Sequence, residues 1–125
     1  MTVSSLRIII AIVIFIFVLL SGFWLSRSGK PFNSGILTVH KLISLGAVAF
    51  LVVTIYQINK ASGLSTIDLI AAMVTGVFFL ITIVSGGLLS IGKAMPMAIS
   101  KLHLITPFLT ALSTTITLIL LRIGK

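Results

Sequence analysis

The hydrophobic positions of this chain fall into four long runs, roughly residues 7–26, 35–58, 67–90 and 99–121, separated by short polar stretches. Each run is close to the ~20 residues a helix needs to cross a hydrocarbon layer ~30 Å thick. The connecting segments "SRSGKPFNSG", "NKASGLST" and "SIGKAMPMA" are short. Connections of that length make successive helices antiparallel neighbours. The pattern therefore predicts an all-α membrane protein: one domain over residues 1–125, with four transmembrane helices in an up-down-up-down bundle.

Composition sharpens this picture. Hydrophobic residues make up 58% of the 125 positions and charged residues 8%, a balance foreign to soluble domains of this size. The net charge of +8 raises the question of nucleic acid. However, Arg7, Arg27, Lys30, Lys41, Lys60, Lys93, Lys101, Arg122 and Lys125 all stand near helix ends, where they anchor to anionic lipid headgroups instead. The lone acid, Asp68, falls in the first turn of the third helix behind Thr66, an expected N-cap, where a carboxylate complements the helix dipole. With no cysteine in the chain, disulfides, thiol catalysis and iron–sulfur clusters are excluded. The first run resembles a signal peptide, but "SGFWLS" puts Phe23 and Trp24 where a small-residue cleavage site would stand, so a retained helix is expected.

The chain also repeats itself. "FIFVLLSGFWLSRSGKPFNSGILTVH" aligns with "FFLITIVSGGLLSIGKAMPMAISKLH". Phe15, Ser21, Gly22, Leu25 and Ser26 match Phe79, Ser85, Gly86, Leu89 and Ser90. After one deleted residue, Gly29, Lys30, Ile36 and His40 match Gly92, Lys93, Ile99 and His103. Apolar identities arise easily by chance, so the polar and glycine matches carry the signal. A duplicated helical hairpin implies parallel repeats about an approximate twofold axis along the membrane normal. Helices two and four then run the same way, and His40 and His103 lie at one depth, about 8–10 Å past their helix starts at 1.5 Å per residue. Gly22 and Gly86 reach a similar layer.

These two histidines are the only candidates for chemistry. An intramembrane histidine often serves an interhelical hydrogen bond. Two facing neutral imidazoles can share one such bond, which leaves the other ring nitrogens without partners. A metal satisfies them better, yet two nitrogens with no nearby Asp, Glu or Cys are too few for a bare zinc or copper site. Haem needs only two axial ligands, because the porphyrin supplies four equatorial nitrogens. His40 and His103 are therefore the expected iron ligands of one haem b. Gly22 and Gly86 would let a porphyrin approach the backbone, or else serve ordinary small-residue packing. Lys30, Lys41, Lys93 and Lys101 share the histidine side and would meet propionates or lipid headgroups. Ser44, Thr106 and Thr110 are candidate acceptors for imidazole N–H groups. Pro107 cannot donate to the carbonyl of His103.

The "VHKLISLG" segment, the four-helix length and the paired histidines resemble the haem-binding core of membrane b-type cytochromes. Many of those proteins hold two haems on two histidine pairs. The single pair here implies one haem per chain, and the lack of a CxxCH motif implies that it is noncovalent. The resemblance implies electron transfer, with a quinone or a soluble redox protein as partner at the haem face. Two other functions fit the same four helices. One is a small transporter or channel, whose pore Thr110, Ser113, Thr114 and Thr117 would line unless they bond helix to helix. The other is a structural or assembly subunit. Exposed small residues permit a homodimer without demanding one.

Overall fold

The computed structural model describes residues 5–29, 32–91 and 95–123. It contains four helices: α1 (Ser5–Ser28), α2 (Ser34–Ser62), α3 (Thr66–Ser90) and α4 (Met97–Ile123). All four are long and apolar enough to cross a membrane, and the described residues contain no strand. A helix closes all its backbone hydrogen bonds within one segment, which a hydrocarbon environment demands. Each helix extends beyond its hydrophobic run, because the polar flanks Ser5, Asn59, Lys60 and Arg122 continue the backbone ladder until a breaker is met.

Those breakers and caps are local. Gly29 at φ +71° ends α1, and Gly63 at φ +75° ends α2, where its N–H reaches the Asn59 carbonyl at 2.9 Å. Both angles lie in the left-handed region that glycine enters without steric penalty. Asn33 caps α2 by accepting from the N–H groups of Gly35 and Ile36. The N-cap of α3 is Ser65 and not the expected Thr66, which is instead the first helical residue. Asp68 decides this: from the third helical position it accepts from the Ser65 N–H at 3.1 Å while Ser65 Oγ accepts from the Asp68 N–H at 3.2 Å. This reciprocal capping box satisfies two otherwise free donors. α4 runs unbroken through Pro107.

α1 packs on α2, α3 on α4, and α1 on α4, while α2 and α3 form no comparable interface. The bundle is thus two hairpins joined along α1 and α4. Repeat-equivalent residues meet where the proposed twofold axis would run: the Phe15 and Phe79 rings lie 6.0 Å apart, and His40 faces His103. The apolar core, made of Ala11, Leu51, Ile58, Leu118 and Leu121, occupies the half of the bundle away from the histidines. Arg7 does more than meet headgroups there. Its guanidinium donates to Thr54 Oγ1 at 2.6 Å and Gln57 Oε1 at 2.5 Å and lies over the Phe50 ring, pinning the start of α1 to the end of α2.

Hydroxyls hold the second hairpin together. Thr75 Oγ1 pairs with Ser113 Oγ at 2.5 Å and Thr117 Oγ1 at 3.0 Å, and Thr82 Oγ1 with Thr110 Oγ1 at 3.1 Å. Of the α4 stripe, Thr110, Ser113 and Thr117 bond across to α3, while Thr114 Oγ1 has no partner among the described residues. Interhelical bonds of this kind are worth about 0.6 kcal/mol on average and up to about 1.7. Thr75, fully buried, carries two of them and should lie near the upper end. Thr75→Val is expected to lower the unfolding free energy in mixed micelles by about 1–2 kcal/mol, against a few tenths for Thr115→Val, whose hydroxyl bonds only within α4.

Candidate functional site: a paired-histidine centre

His40 and His103 are each the seventh residue of their helices, counted from Ser34 and Met97. Equal offsets on parallel helices put both rings in one layer, as the repeat predicts. The ring centres are 6.5 Å apart and the ring planes are at 82°. That separation is near the outer limit of direct ring contact, and no hydrogen bond joins the two rings.

Each ring is seated by its own hairpin. A Cβ built on Gly22 would lie 3.1 Å from His40 Cε1, and one built on Gly86 only 2.6 Å from His103 Cε1. Neither glycine faces open space. The imidazole occupies the place where a side chain would stand, so each glycine admits the histidine of its own hairpin. The serine preceding each glycine completes the seat: Ser21 Oγ lies 2.7 Å from His40 Nδ1, and Ser85 Oγ lies 3.1 Å from His103 Nδ1.

The hydrogen-bond partners favour a proton on Nδ1 of each ring. His103 Nδ1 also lies 3.0 Å from the Thr82 carbonyl, which can only accept, so this nitrogen is the donor. Ser21 Oγ can donate to the Val18 carbonyl at 2.9 Å, which leaves its lone pairs to accept from His40 Nδ1 at 2.7 Å. A neutral imidazole has one N–H and one lone pair. Both lone pairs therefore sit on Nε2, and neither Nε2 has a hydrogen-bond partner among the described residues. Two acceptors share one layer with no donor between them.

An electron-poor centre suits such a pair. Two imidazoles bound to one ion from opposite sides, with metal–nitrogen bonds of about 2.0–2.1 Å and each nitrogen about 1.2 Å from its ring centre, have centres about 6.4 Å apart. The observed 6.5 Å equals this spacing, which an edge-to-face ring pair also adopts. No group of three or more His, Cys, Asp or Glu residues occurs among the described residues, so a bare ion would lack ligands that a tetrapyrrole brings with it.

The other expected site residues divide. Ser44 Oγ donates to the main-chain carbonyl of His40 at 2.7 Å and does not touch the ring. Its position one turn along the same helix favours this back-bond. Thr110 bonds to Thr82 and to the Thr106 carbonyl, away from His103. Thr106 is buried one turn from His103, and its Oγ1 has no partner. Lys41 and Lys101 are exposed beside the histidines. Lys30 and Lys93 lie outside the described residues. Ser21 and Ser85 were missed as site residues although both stand in the repeat; the recurring Ser-Gly pair was the signal.

The fold and site define a four-helix protein, able to span a membrane, with one symmetric histidine pair. No family model, curated relative or solved structure matches the chain, so the site's chemistry has to speak for itself. The seats differ in tightness, which gives a direct check. Gly86→Ala should displace the His103 ring and alter its NMR signals strongly, because 2.6 Å is far inside contact distance. Gly22→Ala, at 3.1 Å, should perturb His40 measurably less.

Proposed function

We propose that this protein is a membrane b-type cytochrome that binds one haem between His40 and His103 and carries electrons. The observation that supports this most is the pair of unpartnered Nε2 lone pairs, held by Nδ1 hydrogen bonds on rings 6.5 Å apart. An interhelical hydrogen bond between the two histidines would need a proton on one Nε2, and both serine contacts disfavour it. When bound, haem b supplies a one-electron ferric/ferrous couple, and two protein ligands leave no open coordination position for oxygen chemistry.

The chain's residues do the rest. Each Ser-Gly seat aims an imidazole inward, and lateral shift of either ring is blocked by its glycine contact. Among the described residues at the histidine end, Leu25 is the buried apolar side chain. Below the histidines, Phe15 and Phe79 form a hydrophobic layer about two helical turns deeper. Arg27, Lys41 and Lys101 make the histidine-side face cationic, with no acid beside them among the described residues. Positive charge near the iron favours the reduced state and raises the potential. It also suits a soluble redox protein with an acidic docking face, while a neutral quinone would reach the same face from the lipid.

The test is spectroscopic. Protein purified in detergent from haem-replete cells should be coloured, with one haem per chain and a sharp reduced-minus-oxidised difference spectrum. His40→Ala and His103→Ala should each abolish that spectrum while keeping helical circular dichroism. A colourless, folded preparation overturns the proposal. Solute uptake by proteoliposomes would then indicate a transporter, and co-purification with a larger complex would indicate an assembly subunit.

A further inference from the structure

A serine hydroxyl ordinarily both donates and accepts, so it cannot by itself dictate the tautomer of a histidine. Ser21 and Ser85 are constrained. Each turns its O–H to the carbonyl three residues back in its own helix, Val18 at 2.9 Å and Thr82 at 3.1 Å. Only lone pairs then remain, and these face Nδ1 at 2.7 Å and 3.1 Å. The same three-atom relay from carbonyl to hydroxyl to ring nitrogen occurs in both hairpins, between repeat-equivalent residues. Packing alone does not require it. Alanine would fill nearly the same space, and a buried hydroxyl is unfavourable unless bonded; Ser85 is 2% exposed.

We propose that Ser21 and Ser85 are positioning residues that lock both imidazoles in the Nδ1–H form and strengthen Nε2 as an electron donor to the ion the pair binds. The inference rests on the haem reading for its redox consequence, but its tautomer consequence belongs to the protein alone. An acceptor on Nδ1–H makes the opposite nitrogen a more basic ligand. A more basic ligand stabilises ferric over ferrous iron, so the serines hold the potential down against the surrounding cations. Removing such a partner typically weakens a metal site about 10–100-fold. Each tenfold excess of that loss in the ferric over the ferrous state raises the midpoint by about 59 mV. The two hairpins should respond alike, because His103 keeps the Thr82 carbonyl as a second acceptor and His40 the equivalent Val18 carbonyl.

The experiment uses the full chain in nanodiscs as wild type, Ser21→Ala, Ser85→Ala, the double variant and Ser21→Thr. Nitrogen-15 NMR of the haem-free protein reads the histidine tautomers, and redox titration of the haem-loaded protein reads the midpoint. The expected results are Nδ1–H at both histidines in the wild type, a larger Nε2–H fraction at the affected histidine in Ser21→Ala and in Ser85→Ala, and a midpoint that rises in each and most in the double variant. Ser21→Thr, which keeps the hydroxyl, should restore both readouts. A purely structural role would lower stability without moving tautomer or midpoint. Nε2–H in the wild type, or an unchanged tautomer in the double variant, overturns the inference whether or not haem binds. If the tautomers behave as expected but the wild type takes up no haem, the fault lies with the haem reading, and the hydroxyl lock stands.

Discussion

The contact on which the rest of this structure depends is the approach of each imidazole to the backbone of the preceding helix. A histidine ring resting where a Cβ would otherwise sit fixes the separation of the two helices of a hairpin at that level. The adjacent serine then fixes the ring's rotation. Because both hairpins use the same device, the two rings arrive in one layer with matching nitrogens left over. Ring depth and ring orientation are set by contacts within each hairpin.

The bundle divides its work along the membrane normal. Away from the histidines, five buried apolar side chains, the Arg7 clamp and the Thr75 hydroxyl cluster hold the helices together. Toward the histidines the interior is poor in apolar side chains, and Leu25 is the large buried one there. Among the described residues, unpartnered buried hydroxyls occur in both halves, Thr106 near the histidines and Thr114 beside the apolar core.

Much of this was legible in the sequence because hydrocarbon imposes few solutions. Four apolar runs gave four helices, and short linkers gave their antiparallel order. The equal depth of His40 and His103 followed from the repeat, since identical spacing from "GK" to "H" in two parallel hairpins leaves little freedom. Side-chain direction was not legible. Ser44 sits one turn from His40 and looked like its partner, yet a serine inside a helix bonds its own backbone more readily than a neighbouring ring. Ser21 is nineteen residues from His40, and only hairpin packing brings them together. The N-cap was misplaced by one residue because Ser65 and Thr66 are both good caps, and the position of Asp68 chooses between them.

The self-sufficiency of each hairpin has a consequence for how such a protein could arise. His40 is oriented wholly by α1, and His103 wholly by α3, so one hairpin is a complete half-centre. Two copies of an ancestral half-length chain, associated about the same axis, would have built the whole centre as a homodimer. Fusion then fixes the stoichiometry and frees the halves to diverge. The present halves show that divergence: an arginine clamp braces one, and a ladder of threonines the other.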